Sequence, residues 1–186
     1  MDLLDVGDLV YLSVENDQVK LDQIPQAQSS LISFNPKTGE VLSYVGGSVF
    51  NDSQFDRVRQ SYPQSGSVFK PFIYASAFNG GYNPSSLIND APIIFEDENL
   101  ETFWRPENYS GKFYGLTTLR EALVQSINIV SIKLLREIGI KKSSETVDNF
   151  GFEIERLPQD LSLALGSGNF LLQRLQEALV YLQIME

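Results

Sequence analysis

Gln64-Ser65-Gly66-Ser67-Val68-Phe69-Lys70-Pro71-Phe72 sets a hydroxyl and an amine three residues apart at the start of an expected helix. Residues at i and i+3 share a helical face, so the Lys70 amine comes within reach of the Ser67 hydroxyl. A serine hydroxyl is a useful nucleophile only when an adjacent base takes its proton. The chain has no histidine; lysine can serve once burial or a neighbouring positive charge lowers its pKa. Gly66 lets the backbone come in close, and the free N–H groups of the first turn face any negative charge that develops there. Pro71 has no N–H, so the Ser67 carbonyl loses its i+4 partner and a tighter or bent first turn is expected. By itself Ser-x-x-Lys arises by chance about once in a chain of this length. A solvated lysine at a helix N-terminus is the competing explanation.

Working outward, the helix is expected from about Ser67 to Asn79, stopped by Gly80-Gly81. Upstream, Asp8 to Val14 reads as a strand, Val19 to Gln28 as a linker, and Leu31–Phe34 with Val41–Val45 as a hairpin around Asn35-Pro-Lys-Thr-Gly-Glu40. Downstream, Tyr82 to Ser110 reads as a long ordered loop with strand fragments, of the sort that often carries function. Thr118-Leu-Arg-Glu121 is a capping box opening a helix. The helical pattern breaks at Gln125-Ser126-Ile127-Asn128 and resumes to Gly139. A short helix from Glu145 to Phe150 follows, and Leu172, Leu175, Leu179 and Leu182 put one apolar stripe on a final helix. Small polar residues that merely bend a helix would account for Ser126 and Asn128 on their own.

A chain of 186 residues can bury one real core. A formal charge of −10 argues against nucleic acid and anionic membrane surfaces as partners. Absence of Cys and His excludes disulfides, a Ser-His-Asp triad and histidine-based zinc sites, so no metal and no cofactor is expected. The first residues have no basic region, and no run of 18 apolar residues exists, so neither signal peptide nor membrane anchor is expected within the sequence.

The segment Arg57 to Phe72 resembles the active-site serine segment of class A penicillin-binding proteins, usually Gln-Pro-Gly-Ser-x-x-Lys-Pro-Phe, with Ser65 standing where proline is usual. That replacement is expected to loosen the turn before Ser67. Trp104-Arg-Pro-Glu-Asn-Tyr109 matches the family's Trp-x-Pro-x-Asn-Tyr, and the blocks around Ser126–Asn128 and Leu161–Gly168 follow in the family's order. The match runs from about Leu9 to Asn169 and is nearest to the penicillin-binding protein 1A type.

What the resemblance implies is an α+β, β-lactamase/transpeptidase-like fold, an antiparallel sheet flanked by helices, here truncated and lacking the C-terminal strands. It divides the chain into residues 1–28 (end of a preceding domain and linker), 29–170 (the N-terminal part of a penicillin-binding transpeptidase domain) and 171–186 (a tail unlike the family). It implies serine acyl transfer that cross-links peptidoglycan stem peptides: Ser67 as nucleophile, Lys70 as proton acceptor, Ser126 as proton relay, and Asn128 holding the substrate amide. β-Lactams would acylate the same serine. Trp104 and Asn108 would lie by the substrate, although an aromatic loop anchor is an equal reading for Trp104. The resemblance also implies a bifunctional glycosyltransferase/transpeptidase on the periplasmic side of the bacterial inner membrane, anchored by a segment upstream.

Two departures qualify this. The family's third motif, Lys-Thr-Gly on a strand after the nucleophile, is matched only in spelling by Lys37-Thr38-Gly39, in the hairpin turn before it. The missing strand would supply an oxyanion-hole donor, so this chain alone is expected to be inactive or weakly active. Second, back-translating Leu171–Glu186 and stepping one base restores a family-like Thr-Pro-Thr-Leu-Ala-Arg-Gly-Phe stretch, which implies a frameshift near Phe170. An uncovered sheet edge and apolar face are then expected, with a marginal or aggregating product. Two alternatives stay open: a catalytically inactive remnant of the domain, and a related serine β-lactamase or D,D-carboxypeptidase.

Overall fold

The computed structural model describes residues 4–23, 27–51, 53–97 and 102–184. Among them, helices form the body and strands pair only two by two. The α+β expectation holds, but in place of one antiparallel sheet there are four separate two-stranded ladders, because no strand among the described residues joins one ladder to the next.

The first ladder joins β1 (Tyr11–Glu15) to β2 (Gln18–Asp22). Asn16 and Asp17 both take left-handed backbone angles, the requirement of a two-residue turn that matches strand twist. The first part of the expected linker, Val19–Asp22, is therefore strand; the Asn-Asp pair is the signal for it. β3 (Leu31–Phe34) and β4 (Val41–Val45) form the expected hairpin. The Asn35 side chain accepts the Lys37 and Thr38 N–H groups at 2.9 and 3.3 Å, so Lys37-Thr38-Gly39 is a solvent-exposed turn.

The expected helix at Ser67 splits in two. Gly66–Phe69 is a turn of 3₁₀ helix, and α1 (Lys70–Asn79) begins at the lysine. The Ser67 carbonyl, denied an i+4 donor by Pro71, accepts the Lys70 N–H at i+3. Then come β5 (Leu87–Asp90), β6 (Phe95–Asp97), β7 (Thr102–Trp104) and β8 (Gly115–Thr118). β5 pairs with β8 and β6 with β7. α2 (Leu119–Val124) opens on half a capping box: Thr118 Oγ accepts the Glu121 N–H at 3.2 Å, while the Glu121 carboxylate turns to Gln125. α3 (Asn128–Ile138) and α4 (Ile140–Asp148) follow, α4 starting earlier than its expected Glu145 and stopping before Phe150.

The core sits between α1, α3 and the 3₁₀ turn Leu161–Leu165. Phe69 and Phe72, on either side of Lys70, pack with Phe152 and Phe170 at ring separations of 4.8–5.5 Å. The serine segment is thus pinned from behind by aromatic burial. α5 (Leu172–Ile184) carries the expected leucine stripe: Leu175, Leu179 and Leu182 lie partly buried against the core, and Ala178 and Val180 are buried. No helix among the described residues is long and apolar enough to cross a membrane.

Candidate active site

The turn before Ser67 is held by a second strand-like segment. Ser65 N–H donates to the Gly168 carbonyl at 3.2 Å, its Oγ donates to the Gly166 carbonyl at 3.2 Å, and Gly66 N–H donates to the same carbonyl at 3.0 Å. Phe170 N–H returns a bond to the Pro63 carbonyl at 3.1 Å. Ser65 therefore ties the turn rather than loosening it, using an N–H that proline lacks. Two glycines make this possible. Gly66 is left-handed (φ 57°), and a Cβ on Gly166 would fall 1.9 Å from the Gly66 carbonyl oxygen. The result presents Ser67 exposed at the lip of the turn while Lys70, one turn on, is 1% exposed.

The Lys70 ammonium has three hydrogens, and three acceptors meet it: the Ser126 carbonyl at 2.6 Å, Ser126 Oγ at 3.0 Å and Asn128 Oδ1 at 2.8 Å. Burial pushes its pKa down to about 8, and none of its three partners is a carboxylate that would offset the lost hydration. Expected site residues Lys70, Ser126 and Asn128 thus come together. Ser67 shares the helical turn, but its Oγ makes no hydrogen bond to the Lys70 ammonium, whose three hydrogens are already taken.

The bend that supplies those acceptors follows from how α2 ends. Ser126 N–H bonds the Leu123 carbonyl at 3.1 Å and Ile127 N–H bonds the Ala122 carbonyl at 2.8 Å, the paired bonds of a Schellman ending. Glycine usually fills the left-handed position of that motif. Here Ser126 does, at φ 53°, at a cost of roughly 1–2 kcal/mol. A serine kept where glycine would be easier points to a use for its hydroxyl.

α3 begins at Ile127-Asn128, and Ile127 has no side-chain oxygen to cap it. Asn108 does so from the preceding loop: its Oδ1 accepts the Asn128 and Ile129 N–H groups at 3.0 and 3.1 Å. Its Nδ2 donates to both Asp90 carboxylate oxygens, at 3.0 and 2.9 Å, and to the Lys112 carbonyl at 2.8 Å. Asn108 is buried with both amide atoms engaged inside the protein, where it braces the start of α3. Trp104 stacks on Phe95 (5.3 Å), whose ring also carries the Arg136 guanidinium, so its indole anchors the loop that ends in Asn108. Asp90, 1% exposed, is the residue that sequence reasoning misses, because Leu87-Ile-Asn-Asp90 carries no mark of a buried acid.

A hollow of about 220 Å³ opens beside this bend, between Asn108, Tyr109, Tyr114, Gln125 and Ser126. Among the described residues no group of three acidic side chains could hold a metal ion. The arrangement sets an exposed hydroxyl one turn from a lysine of lowered pKa, the pairing that serine nucleophiles require.

Residues 30–169 match the family model described as the penicillin binding protein transpeptidase domain. The chain is similar to penicillin-binding protein 1A of Pseudomonas aeruginosa, 45% identical over 167 residues that make 89% of this chain and 20% of the relative. It is similar also to penicillin-binding protein 1A of Escherichia coli, 37% identical over 169 residues, 91% of this chain and 20% of the relative. The crystal structure of penicillin-binding protein 1A from Haemophilus influenzae superposes with a TM-score of 0.83 at 34% identity, over 92% of this chain and 26% of that one. A likeness to the Mycobacterium tuberculosis PonA1 protein in complex with penicillin V is one of fold alone: TM-score 0.63, 21% identity, 77% of this chain and 41% of that one. The chain spans about a fifth of the length of the curated relatives it matches.

Proposed function

This chain belongs to the penicillin-binding protein transpeptidase domain family, and from that premise we propose that it carries the nucleophile half of a peptidoglycan D,D-transpeptidase. The whole enzyme would be a bifunctional glycosyltransferase/transpeptidase of cell-wall synthesis on the periplasmic side of the inner membrane. The observation that carries the reading is the buried Lys70 amine held by Ser126 and Asn128 one helical turn from an exposed Ser67.

In the proposed reaction Ser67 Oγ attacks the carbonyl carbon between two terminal D-Ala residues. Its proton passes to the free-base form of Lys70, which a pKa of about 8 leaves as roughly a tenth of the population at pH 7. Ser126 Oγ hands a proton to the departing amine and is reprotonated from Lys70, with which it shares a hydrogen bond. The C–N bond breaks and an ester to Ser67 remains. An amine of a neighbouring strand then displaces Ser67, forming the cross-link and returning the proton along the same path. Asn128 Nδ2, which donates to the Glu107 carbonyl at 3.0 Å, would orient the substrate amide by exchanging that partner. A β-lactam would acylate Ser67 by the same first step.

Labelling with a fluorescent penicillin tests this. The expected result is Ser67-dependent label, abolished by Ser67→Ala. It should form about a hundredfold more slowly, or slower still, than in a full-length relative, because a missing oxyanion donor is worth about 2.7–4 kcal/mol. Label that survives Ser67→Ala would refute the reading. A second reading, a remnant that keeps the fold without the chemistry, is favoured by the absence of a hydrogen bond between Ser67 Oγ and the Lys70 ammonium; total lack of label in a folded sample selects it. The proposed division at residues 28 and 170 includes an out-of-frame tail whose leucine stripe still docks on the core. The encoding DNA decides it: a shifted frame that does not continue into Lys-Thr-Gly rules it out.

A further inference from the structure

Asp90 and Asn108 form a buried pair with a defined polarity. An ionised carboxylate only accepts hydrogen bonds, and so does the Lys112 carbonyl; both therefore demand the NH₂ side of the Asn108 amide. The Asn128 and Ile129 N–H groups only donate and demand its oxygen. Asp90 is itself held in place, its Oδ2 accepting the Tyr114 N–H at 2.9 Å, and β5–β8 pairing fixes its backbone opposite Gly115. Nothing in the acyl-transfer chemistry uses Asp90, yet it is an acid 1% exposed at the base of the bend that grips Lys70.

We infer that Asp90 is a positioning residue: by fixing the sense of the Asn108 amide it sets the start of α3, and with it the acceptors that hold Lys70. The inference rests on the transpeptidase reading only for what Lys70 then does. An amide free to turn over would aim NH₂ at two N–H groups and release the first turn of α3. Asn128 Oδ1 and the Ser126 carbonyl, which flank that turn, would then leave Lys70.

Reversing the polarity tests the inference. Asn108→Asp alone sets two carboxylates face to face, and penicillin acylation should fall about a hundredfold or more. Adding Asp90→Asn restores a donor opposite an acceptor between the two side chains, with the carboxylate introduced at position 108 still accepting the two α3 N–H groups, while the Lys112 carbonyl stays without its donor. The rate should then recover at least about tenfold over Asn108→Asp, though short of the parent chain. A pair that merely fills space would make the double variant worse than either single one. Amide hydrogen exchange at Asn128 and Ile129 gives a second readout independent of acylation: protection lost in Asn108→Asp and regained in part in the double variant. If the parent chain takes no label, the transpeptidase reading fails and the exchange experiment alone judges the inference. A double variant as impaired as Asn108→Asp in both readouts, an Asn108→Asp chain that matches the parent, or failure of both variants to fold would overturn it.

Discussion

The helical body and the N-terminal hairpins of this chain are built on opposite terms. Phe69, Phe72, Leu134 and Leu135 are wholly buried, and even the charged Lys70 is enclosed. On β1–β2 and on β4 the apolar side chains face solvent: Val14 is 70% exposed and Leu42 63%. β3 leans on α5, yet β3 and β4 pair only with each other among the described residues. The body closes its own core, so its site geometry is set within the chain. The hairpins carry sequences suited to a cover that the described residues do not supply, and such a surface favours association.

The sharpest way to break the contrast is at Phe69. Phe69→Ala removes the ring shared by Phe72, Phe152 and Phe170. It should cost about 3–5 kcal/mol in urea unfolding, with loss of penicillin labelling. A cost below about 1 kcal/mol would mean that the cluster does not hold the serine segment. Next in size is Ser126→Gly, which relieves a left-handed serine. It should raise the urea midpoint by up to about 1 kcal/mol of stability, while labelling falls. Lower stability would show that the Ser126 hydroxyl outweighs the backbone strain. Least is expected on the hairpins: Val14→Lys or Leu42→Lys should change stability by less than about 0.5 kcal/mol yet reduce concentration-dependent association in sedimentation. A large loss of stability there would mean that the hairpins are integral to the body.

Most of the body is legible in the sequence because its signals are local. Ser67 and Lys70 sit one turn apart, Pro71 foretells the 3₁₀ turn, and the polar break at Ser126–Asn128 marks the bend. Interactions distant in sequence leave no such mark. Nothing near Asp90 says that it meets Asn108, 18 residues on, and the Ser65–Gly166 bond joins residues 101 positions apart. Motif spacing reports position along the chain and says nothing of which way the Asn108 amide points.

The central claim is that this piece of chain alone assembles the lysine site, and the titration of Lys70 tests it most directly. Burial lowers the folded-state pKa from 10.5 to about 8, so between those values the unfolded chain binds the extra proton and stability should rise with pH across that window. The gain is of order 2 kcal/mol, less than the whole shift because the bend opens to solvent beside Ser126. In ¹³C-lysine spectra, with Lys70→Met for assignment, the Lys70 side chain should titrate near pH 8. A midpoint near 10.5, together with stability that stays flat or falls across the same window, would contradict the account.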